Sequence, residues 1–245
     1  MRIIKIVLGL MFILVMTGCA HQINMTADVS QLQPTPEVQL IQKNVGYYFI
    51  ENREKVVETA GGGGDMVKYS PYKDIEGGVF KVLSNTFKSA LSITSDKDAA
   101  ISKNDLSYIM AVEVSTNSSS PSLFTWPPTV FGVNLVANIT NSSGQPVTRL
   151  LVTGEGRAEF DEFKGNHSLA GNRASVDALK KMQAALLNSP VLTATNGRTS
   201  LDATVSVLVP PKSKEERLRD LKRFFDGGLI TNEIYLERQK AILGS

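Results

Sequence analysis

Few side chains in this sequence could do chemistry. It contains one cysteine, Cys19, and two histidines, His21 and His167. Neither histidine has a second histidine or a cysteine at the spacing of metal ligands, which argues against a zinc or iron site. Ser168 follows His167 directly, but a nucleophile needs its base across space, and no Gly-x-Ser-x-Gly segment is present. We therefore predict no catalytic residue, no metal and no cofactor.

A short acidic run is the remaining candidate for acid–base chemistry. Glu155, Glu159, Asp161 and Glu162 could place two carboxylates for glycoside cleavage. Such a run is more typical of the solvated end of a strand. The four glycines at 61–64 lack the Lys-Ser/Thr of a phosphate-binding loop and predict a flexible connection. The sequence therefore predicts a protein that is not an enzyme.

The cysteine stands in an informative context. The N-terminus runs through Arg2, Lys5, an apolar stretch at 6–16, Thr17, Gly18 and Cys19. A short basic region followed by about a dozen apolar residues is typical of a secretory signal and is too short to span a bilayer comfortably. Because Cys19 is the only cysteine, no disulfide can form within the chain.

The sequence Met16-Thr17-Gly18-Cys19 resembles the lipobox of bacterial lipoproteins, with Met16 where that family usually has Leu. The resemblance implies that residues 1–18 are a signal peptide, cleaved after Gly18. It also implies that Cys19 carries a diacylglyceryl thioether and that the new amino terminus is acylated, for example with palmitate. The alternative is an ordinary secretory signal that happens to contain a cysteine.

Location follows from the same resemblance. Two or more acyl chains hold a protein stably on a membrane, and this modification would supply three. The next residue is Ala20 rather than Asp, which in enteric-type bacteria favours transfer to the outer membrane. We expect a lipid-anchored protein on the periplasmic face of that membrane. Residues 19–40 predict a lipidated tether. Its residues 22–39 are polar, with Pro34 and Pro36, and could reach at most about 60 Å when extended.

Charge excludes one class of partner. Of the 26 lysines and arginines, Arg2 and Lys5 leave with the signal, so that the mature chain has as many basic residues as its 24 acidic ones. A balanced charge argues against a nucleic-acid binder. We expect the partners to be the membrane, through the lipid, and an envelope protein or a second copy of the chain.

Residues 41–190 predict an α+β domain. Strands are indicated at 45–50, 108–115, 131–140 and 147–160, with a hairpin turn at 141–146. Apolar residues from Ile75 to Leu91 recur at helical spacing, as do those of a second helix at 169–187. The order β-α-β-β-β-α favours an antiparallel-rich sheet with two helices on one face. Gly154 and Gly156 alternate with charged residues in the last strand and would let a helix pack closely.

With the lipobox and this element order, residues 1–190 resemble small envelope lipoproteins of the YajG type. No site motif supports the resemblance, and the role it implies is not enzymatic. Residues 191–212 predict an extended linker or an edge strand, with alternating apolar residues up to Val209.

The C-terminal residues 213–245 predict a two-helix hairpin. Leu221 and Phe225 lie at helical spacing before Gly227-Gly228, and Leu229-Ile230-Thr231 precedes a second helix that contains Tyr235. This turn resembles that of the SHOCT (short C-terminal) domain over about 30 residues, although Ile234 stands where that family usually has Glu. Such a hairpin buries too little surface to be stable alone. Phe225, Leu229 and Tyr235 are therefore candidate contacts with the main domain, a second copy or a partner.

A further contact candidate is the loop at 118–129, which contains Phe124, Trp126 and two prolines. It is either a docking loop for a protein or membrane surface, or a small cluster packed over the sheet edge. The function that we prefer is a non-catalytic interaction or assembly module of the envelope. The alternative is a lipoprotein that binds a glycan or small ligand in a cleft between this loop and the charged strand.

Overall fold

The computed structural model describes residues 20–36, 38–61, 65–120 and 129–194, together with 218–219, 221–222, 235–236 and 239–240. The chain divides into two compact units, 1–206 and 207–245. The strands of the first unit are β1 Ala20–Gln22, β2 Ile41–Phe49, β3 Val57–Ala60, β4 Met66–Tyr69, β5 Phe87–Ser92, β6 Tyr108–Ser119, β7 Thr129–Asn141 and β8 Pro146–Ala158. Its helices are α1 Pro71–Ser84, α2 Ala100–Lys103, α3 Phe160–Gly165, α4 Leu169–Leu187 and α5 Pro190–Thr193, with a 3-10 turn at Val29–Gln31.

These strands form two sheets. The larger has the order β5-β2-β6-β7-β8, in which β2 runs parallel to both neighbours and β6, β7 and β8 form an antiparallel meander. The smaller has the order β1-β4-β3. Side chains of α1 and α4 join those of β6 and β7 in one buried cluster, so both long helices cover the same sheet face. The predicted α+β fold, with two helices on one face of the sheet, is confirmed.

The meander follows from strict alternation. In β7 every second residue is buried, and the partner positions of β6 and β8 behave in the same way. The turn between β7 and β8 lies at the predicted place: Asn141 N donates to Gln145 O at 2.9 Å, and Gly144 takes the positive φ of +79° that glycine allows.

Two glycines of β8 let α4 approach closely, as predicted. A Cβ added to Gly154 would lie 2.2 Å from Ala174 O, and one added to Gly156 would lie 2.0 Å from Ala170 O. The charged residues that alternate with these glycines are exposed on the other face.

The helix predicted from Ile75 to Leu91 is wrong in its second half. Helix α1 ends at Ser84, and Phe87–Ser92 is an edge strand parallel to β2. The Thr86 hydroxyl donates to Val82 O at 2.8 Å as the chain leaves the helix. Phe87 is fully buried. Its side chain therefore packs in the hydrophobic core as predicted, but from a strand instead of a helix.

The predicted tether is also wrong over residues 20–36. Strand β1 pairs in parallel with β4, and Ile23, Met25, Ala27 and Leu32 are buried, with exposures of 0–5%. These residues are part of the main core cluster. The physical reason is the alternation from Ile23 to Asp28, in which every second side chain is apolar and turns inward.

The second unit is described at eight residues, all of them helical, which fall in both halves of the predicted hairpin. Leu221 is 8% exposed and Leu236 is 47% exposed. Among the described residues, no helix has the length and apolar character needed to cross a bilayer.

Candidate functional site

The residues that follow Cys19 form a distinct element of the fold, which we call the N-terminal segment (residues 20–36). It crosses both long helices next to a glycine of each. A Cβ on Gly171 of α4 would lie only 3.1 Å from Met25 Cβ, so this glycine makes room for the segment. A Cβ on Gly78 of α1 would lie at an ordinary contact distance of 3.5 Å from Ala27 Cβ, and its close approach is to Leu179 of α4.

Side chains of the helices satisfy the backbone of this segment. Asn172 Nδ2 donates to Asn24 O at 2.9 Å and to Thr26 O at 2.6 Å. Met25 N donates to Asp74 Oδ2 at 3.1 Å. Burial raises the pKa of the Asp74 carboxyl, and the backbone N–H groups that it accepts oppose that rise. Side chains of the helices thus make the hydrogen bonds to this segment that, in a sheet, the backbone of a neighbouring strand would make.

The far end of the segment is held in the same way. Asn85 Nδ2 donates to Leu32 O at 2.8 Å, and Gln183 Nε2 donates to Gln33 O at 2.9 Å. Complete burial of a side chain such as Met25 or Leu32 contributes about 1.5–3 kcal/mol. Detaching the segment would lose several such contributions. The segment is therefore a packed part of the domain and not a free tether.

Both histidines lie together at the start of this segment. The rings of His21 and His167 stack with centroids 4.1 Å apart and planes 11° apart. His21 Nε2 lies 3.4 Å from Asp65 Oδ2, and the edge of Phe163 contacts His167. Burial first, and then the neighbouring His21, lower the pKa of His167, while Asp65 opposes that shift.

This juxtaposition could not be found from sequence spacing, because it requires β1 to lie beside the start of α4. Stacked rings present their faces to each other rather than their nitrogens. Within the described ranges, no group of three or more histidine, cysteine, aspartate or glutamate side chains has an arrangement that could hold a metal ion.

Ser168 does not use His167 as a base in this structure. Its hydroxyl oxygen instead accepts a hydrogen bond from Asn24 N at 3.1 Å. Ser168 therefore fastens the N-terminal segment to the start of α4, and the adjacency of the two residues in sequence has a packing role here.

The acidic run is occupied by structural contacts. Glu162 accepts from Arg173 at 3.0 and 3.1 Å and from Glu159 N at 3.0 Å, in a capping box at the start of α3. The Arg173 hydrogen bonds and the backbone N–H hold the pKa of the Glu162 carboxyl at about 2. Glu159 in turn pairs with Arg157 at 3.0 Å.

Helix α4 also covers part of the free edge of β8. Lys181 Nζ donates to Thr153 O at 2.8 Å, Asp177 Oδ2 accepts from Glu155 N at 2.9 Å, and Arg173 Nη1 donates to Arg157 O at 2.6 Å. Backbone groups that would otherwise pair with a further strand are therefore satisfied, which protects the edge against strand addition.

The sheet face opposite the helices carries a row of amides and hydroxyls. Asn134 Oδ1 accepts from Thr153 Oγ1 at 2.7 Å, and its Nδ2 lies 3.5 Å from Ser115 Oγ. Asn117 lies over Gly132, where a Cβ would be 2.1 Å from Asn117 Oδ1. We call Ser115, Asn117, Asn134 and Thr153 the amide row. Its groups can donate to and accept from sugar hydroxyls.

Most of the predicted contact residues fall outside the described part of the chain. These are Cys19, Phe124, Trp126, Phe225 and Leu229. Tyr235 is described, and it lies half-buried in a helical part of the second unit.

The end of β6, which precedes residues 121–128, contacts the smaller sheet. Ser118 Oγ donates to Ala60 O and lies 2.7 Å from Thr59 Oγ1, within hydrogen-bond distance. Ala60 pairs with Met66, and Met66 pairs with Ala20. The end of β6 is therefore linked to the first residue after Cys19 through β3 and β4 of the smaller sheet. The signal that sequence reasoning missed is the alternation from Ile23 to Asp28, which marks the chain around Cys19 as part of the fold.

The sequence matches no protein-family model and no curated protein. Several solved structures resemble the fold. A minor lipoprotein from Acinetobacter baumannii is 9% identical over 60% of this chain and 94% of its own, with a TM-score of 0.38. A Xanthomonas campestris protein of the DUF330 family is 13% identical over 71% and 95%, with a TM-score of 0.41. Uncharacterized lipoprotein B from Nitrosomonas europaea is 10% identical over 63% and 86%, with a TM-score of 0.35. The likeness is partial and assigns no activity to this chain.

Proposed function

We propose that this chain is a bacterial envelope lipoprotein, held by acyl chains on Cys19 at the periplasmic face of the outer membrane. The observation that carries the proposal is the sequence Met16-Thr17-Gly18-Cys19 at the end of a signal-like segment, followed by Ala20. A folded α+β unit that starts directly after the cysteine is consistent with a mature protein that begins at that residue.

The role proposed for the folded body is that of a non-catalytic interaction or assembly module. Two of the side chains considered for catalysis make structural contacts, which supports this role: Ser168 accepts from the backbone of the N-terminal segment, and Glu162 caps a helix and pairs with Arg173. The C-terminal helical unit, through Phe225, Leu229 and Tyr235, is the proposed contact with an envelope protein or a second copy.

Lipidation is tested by growing cells with radiolabelled palmitate and comparing the wild type with Cys19→Ala. We expect label on the wild type alone, and wild-type protein in the outer-membrane fraction. Unlabelled wild type, or a Cys19→Ala variant that remains equally membrane-bound, would refute the anchor. Recovery of labelled protein in the inner membrane would refute only the choice of membrane.

The assembly role is tested by crosslinking in cells, with the full chain compared with a chain that ends at Pro211 and products identified by mass spectrometry. We expect a dimer or a defined partner with the full chain and its loss on truncation. Identical products from both chains would exclude the C-terminal unit as the contact.

A second candidate function is recognition of a glycan on the amide row. Sugars are bound through arrays of amides and hydroxyls, and Asn134 already bridges hydroxyls of two neighbouring strands. Because Trp126 is the only tryptophan, its fluorescence can report a titration with peptidoglycan fragments. We expect a saturable change that is weakened in Asn134→Ala, with Ser143→Ala in the exposed turn between β7 and β8 as control. A flat titration would remove this candidate.

A further inference from the structure

We propose that one end of the N-terminal unit rests directly on a lipid bilayer surface, without an intervening tether. We call this the anchor end; it comprises Ala20, Ala60, Met66, Ser118 and Ser119. The proposal rests on the proposed lipidation of Cys19 and goes beyond it, because it assigns which surface of the folded body faces the lipid.

The first argument is the length of chain between the lipid and the fold. Consecutive Cα atoms are about 3.8 Å apart across a trans peptide. Ala20 already pairs with Met66, so acyl chains on the preceding residue enter the bilayer within one residue of a formed sheet. A long free tether would let the body turn any surface toward the membrane, whereas this short connection keeps Ala20 and its strand neighbours close to it.

The second argument is that the attachment point is firmly built into the fold. Three consecutive residues of β1 pair with β4, and Ile23 N then donates to Lys68 O at 2.9 Å. Beyond them Met25 is buried completely and its N–H is held by Asp74. The segment cannot peel away to act as a tether without exposing the apolar side chains of its alternating positions.

The third argument concerns what gathers at this end. The pairings from Ala20 to Met66 to Ala60 lead to Ser118, whose hydroxyl donates to Ala60 O and contacts the Thr59 hydroxyl. Lys68 pairs with Glu58, and the ring of His21 lies 3.4 Å from Asp65. Small hydroxyl side chains and polar groups in contact with one another are compatible with a layer of lipid headgroups.

The geometry of β7 makes the proposal testable. Ser119 pairs with Val130, and the strand continues to Asn141 before the turn that contains Ser143. Eleven residues of strand at about 3.3 Å each separate the two ends of this path by roughly 36 Å. Ser119 and Ser143 are both exposed serines, so they form a matched pair of labelling positions.

The experiment uses the full chain, purified in its lipidated form, with Ser119→Cys or Ser143→Cys. Because the Cys19 sulfur is then a thioether, each introduced cysteine is the only free thiol and can be labelled with a small fluorophore. The proteins are reconstituted on vesicles of phosphatidylethanolamine and phosphatidylglycerol that carry a nitroxide on the lipid headgroup. We expect the nitroxide to quench the label at 119 and to leave the label at 143 unchanged.

A third variant tests the cause. About twenty Gly/Ser residues, beginning with Ala, are inserted between Cys19 and Ala20 of Ser119→Cys; such a linker has a mean span of about 25 Å. We expect vesicle flotation to be retained and the quenching at 119 to be lost. Equal quenching at 119 and 143 in protein that floats with vesicles would overturn the inference and leave lipidation intact, and so would undiminished quenching in the linker variant. Failure of the wild type to float would instead overturn the proposed function, and the inference with it.

Discussion

Two regions of the N-terminal unit bury apolar surface in different ways. Strand β8 and helix α4 both bury regular faces: β8 makes backbone hydrogen bonds with β7, and α4 makes most of its backbone hydrogen bonds within itself. The N-terminal segment enters the same core cluster as an irregular chain. Beyond β1 and Ile23, several of its backbone groups are instead satisfied by side chains such as Asn172, Asp74 and Asn85.

The difference teaches what a sequence pattern can reveal. A regular helix or strand can be recognised in the sequence because its buried apolar residues recur with one period over many residues. An irregular segment is specified mainly by its partners, here the glycines and amides of two helices that are distant in sequence. Its own signal is limited to three alternating positions, Ile23, Met25 and Ala27, before Asp28 starts a turn.

The largest effect on stability is expected from a substitution that distinguishes a packed N-terminal segment from a free tether. Met25 is fully buried, so Met25→Ala removes buried methylenes and leaves a cavity, which should cost about 2–5 kcal/mol in the free energy of unfolding. The measurement is chemical denaturation of the mature domain. Val29→Ala, in the same segment but 45% exposed, is the control and should change stability by less than about 0.5 kcal/mol. Equal, small effects of both substitutions would contradict a packed segment and support the interpretation of residues 20–36 as a free tether.

The same contrast explains which parts of the fold could be predicted. The meander β6-β7-β8 and helix α4 have long runs with a single period, and their prediction is confirmed. Helix α1 was extended too far because Phe87, Ala90 and Leu91 continue the helical spacing while belonging to a strand. In that short stretch the two periods are hard to distinguish.

The candidate site was less predictable than the fold. The stacked pair of His21 and His167 depends on the position of β1 beside the start of α4. The roles of Ser168 and Glu162 depend on partners that only the folded chain brings near. Residue types alone therefore identify which side chains are candidates for chemistry. They do not reveal the structural contacts that these side chains make in the folded chain.

A second, smaller effect should appear in the regular region. A Cβ at Gly154 would meet backbone atoms of α4 at 2.2 and 2.3 Å, so Gly154→Ala must displace the helix and should cost about 1–3 kcal/mol. Gly77→Ala is the matched control, because an added Cβ there meets nothing within 4 Å and alanine favours a helix by about 0.5–1 kcal/mol. Denaturant midpoints measure both. A neutral Gly154→Ala would mean that α4 does not depend on close contact with β8.

The smallest effect is expected where the two regions meet, at His167. Its pKa is lowered from 6.5 in the folded state, first by burial and then by the adjacent His21, with Asp65 opposing. The unfolded chain therefore binds a proton more readily than the folded one. The stability that His167 contributes is fully present above its ordinary pKa of 6.5 and is lost as the pH falls through that value toward the lower folded pKa.

The variant His167→Phe isolates this contribution, because phenylalanine keeps a ring against His21 and Phe163 but cannot take up a proton. Between about pH 7.5 and 5.5, the free energy of unfolding of the wild type should decline more steeply than that of His167→Phe. Denaturation curves at several pH values give both slopes, and identical slopes would show that protonation of this ring does not weaken the junction. A steeper wild-type slope would mean that protonation of His167 destabilises the folded state, through the ring at which the start of α4 meets the N-terminal segment.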